Sequence, residues 1–235
     1  MIVIGIVGPP AGGKSTVAKQ LMGLGAAWID ADAIAHQVLQ QPEVQRHLVA
    51  HFGPRVMAGQ DVDRKWLAGQ VFGADPTSLE QLRWLEATIH PPTLLLLQKQ
   101  LIEAADRRAP AALLDVPLLF ESGCDLLCDF IWCLDTPLEK RRQWVQKRGW
   151  SAEELQKREQ RQLPLVEKKR RSTHVIANDG DVGTLAETVQ RLWTEVTRPA
   201  NRPQSLQSDS PQRETSERPR VSGGDPHCNG PLPSA

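Results

Sequence analysis

The sequence predicts an α/β fold in which helices flank a five-stranded parallel sheet. Five apolar runs alternate with segments of helical periodicity, which is typical of a doubly wound sheet. A glycine-rich loop with the pattern G-x-x-x-x-G-K-S/T occupies residues 8–15, directly after the apolar run of residues 2–7. Residues 16–21 then begin a helix. The order strand, loop, helix is the context of this motif in the P-loop NTPase fold, which we therefore expect here.

Composition and charge exclude several classes of protein. The chain has 235 residues, of which 40% are hydrophobic and 24% charged, as in globular proteins that fold in water. The formal net charge is +0, so no overall charge attracts nucleic acid or an anionic membrane. No apolar stretch approaches the ~20 residues of a membrane helix. We expect neither a nucleic-acid nor a membrane partner, and we favour a monomer.

The cysteines indicate the compartment. They show no C-x-x-C pair and no metal-ligand spacing, and they are Cys124, Cys128, Cys133 and Cys228. Free thiols of this kind are typical of the reducing cytosol, so we expect a cytoplasmic protein.

The glycine-rich loop predicts a site for the phosphates of ATP. Gly8 and Gly13 lack a side chain, so the backbone can close on an anion at the start of the helix. Lys14 is expected to reach the β- and γ-phosphates, and Ser15 to offer its hydroxyl to Mg²⁺. The ATP-binding residues expected in the loop are Ala11, Gly12, Gly13, Lys14, Ser15 and Thr16. The alternative is a glycine-rich turn without a ligand, but the flanking strand and helix favour the site.

Two carboxylates end the second predicted strand, at residues 26–32. Ligands of open α/β sheets bind beyond the carboxyl ends of the strands, so Asp30 and Asp32 should lie at the edge that carries the loop. One of them could accept a proton from a substrate hydroxyl or hold Mg²⁺ through water. The alternative is that one caps a helix over residues 33–39, with Asp32 at the cap position.

Residues 42–100 are mainly helical, which predicts an insertion of about residues 33–105 over the sheet edge. The pattern indicates helices at 63–72, 78–89 and 93–105, with a break at His90-Pro91-Pro92. A residue before proline is held away from the helical region. His90 could then contact a substrate phosphate, or it could be a packed or capping residue.

Residues 111–121 should be a buried strand that runs into a loop, and the remaining strands should lie at residues 130–135 and 174–178. Asp115 resembles the second carboxylate of a nucleotide site, although an acid at a strand end is common. Residues 138–169 predict either two solvated helices with i, i+4 pairs or a lid whose arginines close over a phosphoryl group. The composition from residue 198 onward predicts a disordered tail after a domain of residues 1–197.

Several of these segments together resemble the dephospho-coenzyme A kinases over roughly residues 1–192. Besides the loop they are Asp30-Ala31-Asp32, Val62-Asp63-Arg64, Ile89-His90-Pro91, the stretch 115–121 (DVPLLFE), residues 158–164 with Lys168, Val175-Ile176 and Asn178-Asp179-Gly180. The resemblance implies ATP-dependent phosphorylation, with Mg²⁺, of the ribose 3′-hydroxyl of dephospho-coenzyme A. This is the last step of coenzyme A synthesis.

The resemblance also implies roles for single residues. Asp32 matches the catalytic base, and Lys14 and Ser15 match the phosphate and Mg²⁺ contacts. Positions expected to bind the acceptor are Asp32, Arg64, His90, Leu118, Phe120, Glu121 and Arg158. Arg141 and Arg148 lie in the segment that matches the lid and are expected to bind ATP, and Asn178 matches a position near the adenine.

The chain departs from the family pattern in two places. Pro9-Pro10 stands where glycine and an aliphatic residue are usual, which removes two backbone donors from the loop. Ala177 replaces a usual aspartate beside Asn178. We expect activity to survive, because residues 12–16 are the expected donors.

Three alternative functions have different sequence requirements. Another small-acceptor P-loop kinase would share the loop but not the acceptor-site segments. A GTP-binding switch would need an Asn-Lys-x-Asp guanine reader, which the sequence lacks. A binding module without activity would require the Pro-Pro loop to be defective.

Overall fold

The computed structural model describes residues 1–73, 75–147, 149–160 and 162–198. Of the predicted tail, residues 199–235 lie outside the described residues, and so does Arg148. The strands are β1 (Ile2–Val7), β2 (Ala27–Asp30), β3 (Met57–Ala58), β4 (Asp61–Val62), β5 (Ala111–Asp115), β6 (Phe130–Asp135) and β7 (His174–Ala177). The helices are α1 (Lys14–Gly23), α2 (Ala31–Leu39), α3 (Pro42–Phe52), α4 (Arg64–Val71), α5 (Pro76–Asp106), α6 (Leu138–Lys147), α7 (Ala152–Gln160), α8 (Leu165–Arg171) and α9 (Val182–Val196).

The main sheet has five parallel strands in the order β2-β5-β1-β6-β7, which confirms the predicted sheet. Asp115 at the end of β5 pairs with Asp30 on β2 and with Ile6 on β1. The carboxyl ends of these three strands therefore meet at one edge. The loop after β1 and the carboxylates at the ends of β2 and β5 lie together at this edge.

Both faces of the sheet are covered, which explains why its strands appear in the sequence as continuous apolar runs. On one face Ile4, Leu113 and Trp132 pack against α1 and α9. The other face packs Leu114 and neighbouring strand residues against Leu97 and other side chains of α2 and α5. The sheet core thus extends through both layers of helices.

The residues between β2 and β5 build a second core, which we call the insertion core. It contains Val38, Leu48, Leu67 and Leu85, from α2, α3, α4 and α5 respectively. Besides the expected helices, this part contains an antiparallel hairpin of β3 and β4 that the helical pattern did not reveal. The hairpin turns through residues 59–60, between two strands of two residues each.

The predicted break at His90-Pro91-Pro92 is wrong, because α5 runs through both prolines for 31 residues. Each half of the helix has its own buried anchor, Leu85 in the insertion core and Leu97 in the sheet core. Packing on both sides therefore overrides the loss of two backbone donors. His90 is consequently helical and not held in an extended conformation.

The assignment of the cap of α2 to Asp32 is also wrong. The helix begins two residues earlier than expected, at Ala31, and its cap is Asp30. A carboxylate oxygen of Asp30 accepts the backbone N–H of Ala33 at 3.1 Å. Since a cap side chain reaches the amide three residues ahead, the spacing fits Asp30 and leaves the Asp32 carboxylate available for other contacts.

The described residues contain no helix that is both long and apolar enough to cross a membrane.

Candidate active site

The phosphate loop turns through backbone conformations that suit its small residues. Gly13 caps α1 with a φ of 93° and has no side chain that could hinder an anion. The backbone N–H of Gly12 donates to the carbonyl of Pro9 at 3.0 Å, which closes the loop. Ala11 has a φ of 57°, a conformation that glycine would adopt at lower cost. The loop is thus a tight turn at the N-terminus of a helix, where phosphate is favoured.

Buried polar groups hold the loop from the ends of two other strands. The hydroxyl of Thr136, directly after β6, donates to the Gly12 carbonyl at 2.7 Å. The side-chain amide of Asn178, directly after β7, donates to the same carbonyl at 3.0 Å. Asn178 is only 4% exposed. Its observed contacts are therefore with the loop backbone, whereas the resemblance implied a place near the adenine.

Lys14 folds back over the loop. Its ammonium lies 3.5 Å from the carbonyl oxygen of Gly8 and 3.4 Å from that of Pro9. Pro9 therefore contributes a carbonyl to the loop, although it has no N–H to donate. An ammonium in this position can transfer from backbone carbonyls to the oxygens of a bound phosphate.

Three carboxylates of the β2 and β5 ends influence one another. The pKa of Asp32 is raised because desolvation and the charge of Asp30 disfavour its ionised form, while His36 and Lys14 act in the opposite sense. Burial raises the pKa of Asp115 as well, against the charge of Lys14. A raised pKa makes a carboxylate a stronger proton acceptor, which suits a general base.

The loop and Asp32 line one cavity of about 550 Å³. The cavity also collects residues from β5, from the insertion and from the segment of α6 and α7. Its lining comprises Pro10, Ala11, Gly12, Gly13, Lys14, Ser15, Asp32, Phe72, Asp115, Pro117, Leu118, Trp150, Arg158 and Gln162. Of the expected loop residues, Thr16 lies one residue further into α1 and is not part of this lining.

A second cavity of about 570 Å³ lies beside the first and shares Leu118 with it. It is lined by Arg83, Glu86, Ala87, His90, Leu118, Glu121 and Ser122. The expected acceptor residues His90, Leu118 and Glu121 are thus brought together. The carboxylate of Glu121 also accepts the backbone N–H of Leu163 at 2.6 Å, which ties this cavity to the connection between α7 and α8.

The structure separates two expected acceptor residues from these cavities. Arg64 is exposed at the first position of α4 and lines neither cavity. Phe120 is buried in the sheet core, and the guanidinium of Arg171 lies 4.2 Å from its ring centre. Phe120 therefore acts in packing, because its ring is covered by protein.

Two described arginines of the expected site differ in their surroundings: Arg141 was expected to bind ATP, and Arg158 to bind the acceptor. Arg141 is 6% exposed, donates to the carbonyl of Thr136 at 3.2 Å and forms an ion pair with Glu159 of α7. It lines a smaller cavity of about 110 Å³ beside Pro9 and Pro10. Arg158, in contrast, lines the main cavity.

The basic segment after β6 contains three helices, α6, α7 and α8, and not the two that we expected. Arg158 lies 4.1 Å from the ring centre of Trp150 and 2.9 Å from a carboxylate oxygen of Glu154. Trp150 lies just before α7. Its ring and the carboxylate of Glu154 both contact the guanidinium of Arg158, which lines the main cavity. Such a contact orients an arginine before a phosphate arrives.

Sequence reasoning missed several residues of the main cavity as site residues, notably Phe72, Trp150 and Gln162. It also assigned no role to Lys168, which is buried against the phosphate loop. Gln162 and Lys168 belong to segments that resemble the dephospho-coenzyme A kinases, and this resemblance was the sequence feature that could have identified them as site residues. Phe72 directly follows a helix and Trp150 follows a turn. Aromatic residues in such places are common on protein surfaces, so nothing in the sequence marked these two as site residues.

The oxygen donors at the main cavity fit a hard divalent cation. Ser15 offers a hydroxyl, and Asp32 and Asp115 offer carboxylates, which are the ligand types that Mg²⁺ accepts. In the described parts of the chain no group of three or more His, Cys, Asp or Glu side chains is arranged to hold a metal. Magnesium commonly retains waters and binds through substrate phosphates, so such a group is not required.

Comparison with known proteins identifies the same family as the motifs. The family model described as dephospho-CoA kinase matches residues 2–184. The dephospho-CoA kinase of Rhodopirellula baltica is 42% identical over 189 residues, which cover 80% of this chain and 88% of that protein. That of Thermus thermophilus is 36% identical over 197 residues, which cover 83% and 92% of the two chains.

Solved structures agree with the fold. The crystal structure of TT1252 from Thermus thermophilus has a TM-score of 0.70 at 36% identity, covering 84% of this chain and 98% of that one. The dephospho-CoA kinase from Campylobacter jejuni has a TM-score of 0.64 at 24% identity, with coverage of 83% and 96%. Both the family model and the relatives extend over most of the described residues. The chain belongs to the dephospho-CoA kinase family.

Proposed function

We propose that the chain transfers the γ-phosphoryl group of ATP to the ribose 3′-hydroxyl of dephospho-coenzyme A, which yields coenzyme A and ADP in the last step of coenzyme A synthesis. One observation carries the proposal. In a chain of this family, Lys14 and Ser15 of the phosphate loop share a single cavity with Asp32. A phosphate grip and a proton acceptor in one cavity are what transfer to a hydroxyl requires.

The phosphate loop binds the triphosphate in this proposal. Backbone N–H groups among residues 12–16, at the N-terminus of α1, attract the phosphates. The Lys14 ammonium leaves the carbonyls of Gly8 and Pro9 and moves to the β- and γ-phosphates. There its charge offsets the negative charge that the transferring group carries.

Asp32 accepts the proton of the 3′-hydroxyl. Its carboxylate is not engaged as the cap of α2, because Asp30 fills that position. Desolvation raises the pKa of Asp32, which increases its proton affinity. The ionised form orients the hydroxyl toward the γ-phosphorus and takes its proton as the new P–O bond forms.

Mg²⁺ is the metal that we propose for the site. Ser15 would hold it directly, and Asp32 or Asp115 would do so through water, as oxygen ligands suit this ion. When bound, Mg²⁺ supplies positive charge to the phosphate oxygens.

The neighbouring cavity accommodates the rest of the acceptor. Dephospho-coenzyme A continues beyond its ribose into a diphosphate and a long amide-bearing arm, so it needs space next to the reaction site. The cavity of about 570 Å³ adjoins the main one at Leu118, and its lining includes Arg83 and His90 together with two carboxylates. We assign it to this arm and to the diphosphate.

The test is ATP consumption by the purified protein with Mg²⁺ and dephospho-coenzyme A, with adenosine, AMP and no acceptor as controls. Turnover with dephospho-coenzyme A alone, with coenzyme A as the product, is the expected result. Turnover with another acceptor would retain the kinase and overturn the substrate. A protein that binds ATP but turns over none of these acceptors would contradict the proposal.

Location in the cytoplasm and the monomeric state stay predictions from the sequence. Light scattering coupled to gel filtration tests the second of them directly.

A further inference from the structure

Gln162 lies where the main cavity meets its smaller neighbour. It belongs to the connection between α7 and α8, and its side chain lines both the cavity of about 550 Å³ and the cavity of about 110 Å³. On the main cavity it shares the wall with Lys14, Ser15 and Asp32. Gln162 therefore borders the cavity in which the phosphoryl group would be transferred.

The carboxamide of Gln162 is anchored by Lys168. The ammonium of Lys168 donates to the side-chain oxygen Oε1 of Gln162 at 2.6 Å and to the carbonyl of Gly8 at 3.3 Å. Lys168 is 2% exposed, so the surrounding protein fixes its position. The same Gly8 carbonyl is approached by Lys14 at 3.5 Å. The anchor of Gln162 is therefore attached to the phosphate loop itself.

This anchor decides which way the carboxamide faces. A lysine ammonium has three donors and no acceptor, so it can pair with Oε1 of Gln162 but not with Nε2. The Nε2 group, on the opposite branch of the amide, keeps two N–H donors. Among the described residues none accepts a hydrogen bond from it. An amide held in this way is half-buried and keeps its two N–H donors for an acceptor that enters the cavity.

We propose that Gln162 is a catalytic residue, whose Nε2 group donates a hydrogen bond to an oxygen of the phosphoryl group in transfer, and that Lys168 is the positioning residue that holds its carboxamide in this orientation. The inference rests on the proposed function in one respect, that a phosphoryl group is transferred in this cavity. Donors fixed before the reaction stabilise the developing charge without the cost of reorganisation.

The decisive pair of variants is Gln162→Glu and Gln162→Met. Glutamate keeps an oxygen for Lys168 but replaces the donor on the cavity side with a second, negatively charged oxygen. Methionine has a similar length but has neither the oxygen that accepts from Lys168 nor the N–H donors of Nε2. We expect both variants to lower kcat about 10- to 100-fold, with the KM for ATP changed less than about threefold, because the bond forms to the group in transfer. Gln160→Glu, at an exposed position of α7, is the control for the added charge.

The role of Lys168 is tested by Lys168→Met and Lys168→Arg. Lys168→Met should lower kcat, and Lys168→Arg should recover part of it because arginine also donates only. In the double variant with Gln162→Met, the loss should be no larger than that of Gln162→Met alone. Arg170→Met is the control on the same helix, since Arg170 is exposed and pairs with Glu167 of α8.

The outcomes separate this inference from the proposed function. Wild-type protein without turnover on dephospho-coenzyme A would overturn both. If the wild type is active and Gln162→Glu keeps a normal kcat, the inference alone is overturned. Glutamate preserves the hydrogen bond to Lys168 but not the N–H donors, so a normal kcat would mean that the donors are not needed. Additive losses in the double variant would overturn the positioning role of Lys168. If Lys168→Met does not fold, the Gln162 pair still decides.

Discussion

The side-chain nitrogen of Asn178 donates to the carbonyl of Gly12 at 3.0 Å, although 166 residues separate them in the chain. The contact joins the end of the last strand of the sheet to the phosphate loop. It is also close to Gly13, where an added Cβ would lie 2.7 Å from the same nitrogen. The shape of the loop thus depends on a residue that the motif does not contain.

Replacement of Asn178 by alanine tests this relationship. Asn178→Ala removes a buried hydrogen bond, and we expect the free energy of unfolding to fall by about 1–2 kcal/mol. The affinity for ATP should weaken together with stability, because the Gly12 carbonyl then accepts a side-chain hydrogen bond only from Thr136 among the described residues. Urea unfolding and calorimetric ATP titration measure the two effects. Lost ATP affinity with unchanged stability would instead indicate the direct nucleotide contact that the family resemblance implied.

Asp32→Asn should reduce turnover by about 10²-fold or more, the usual scale for a general base, while ATP still binds. The matched control is Asp30→Asn, because asparagine also caps helices and the cap of α2 is retained. We expect this control to keep most of its turnover. Steady-state kinetics and ATP titration of both variants provide the comparison. Equal losses in the two variants would contradict the special role of Asp32.

Ala11 provides a test of strain in the phosphate loop. Its φ of 57° costs a residue with a Cβ about 1–2 kcal/mol relative to glycine. Ala11→Gly should therefore bind ATP normally and alter stability by less than about 1 kcal/mol, since relief of strain is offset by chain entropy. Ala11→Val places a branched side chain at a positive φ and should weaken ATP binding about tenfold or more. Equal ATP affinities for the two variants would show that the loop adjusts its backbone freely.

The pH dependence of kcat should report on Lys168. Burial lowers the pKa of Lys168 to about 8, with help from the charge of Lys14, while Glu121 and Cys133 act in the opposite sense. As the pH rises through this value the ammonium loses a proton and gains a lone pair. The amine can then accept from Nε2 of Gln162, so the carboxamide is no longer held in one orientation. We expect kcat to decline above about pH 8.

The same measurement on Lys168→Met is the control. This alkaline decline should be absent in the variant, whose kcat is already low. Other groups face Lys168, namely Lys14, Glu121, Cys133 and, across the smaller cavity, Arg141 and Glu159. Burial raises the pKa of the Cys133 thiol to about 11, outside the range of interest. An alkaline decline that persists in Lys168→Met would assign it to another of these groups.

The sequence predicted the sheet well for a physical reason. Strands of a parallel sheet with both faces covered are mainly apolar, and short apolar runs such as residues 111–114 are easily recognised. The phosphate loop was equally clear, because only a few residue types allow its turns. These features depend on neighbouring residues, which a sequence displays directly.

Features that depend on distant parts of the chain were harder to predict. Pro91 and Pro92 predicted a break, but tertiary packing at Leu85 and Leu97 maintains the helix. The roles of Asn178 and Lys168 follow from contacts with the loop across more than 150 residues, for which local patterns carry no signal. Whether Asp30 or Asp32 caps α2 depends on the residue at which the helix begins, and the sequence pattern did not identify that residue.

Helix α5 has a consequence for cooperativity. Its first half is anchored in the insertion core and its second half in the sheet core, and Pro91 and Pro92 remove two adjacent rungs of the hydrogen-bond ladder between them. The two halves can therefore belong to different unfolding units. In hydrogen exchange, amides of residues 79–90 should open with the insertion, and those of residues 93–106 only with the whole sheet. Acceptor entry could then proceed by local opening while the phosphate loop stays folded.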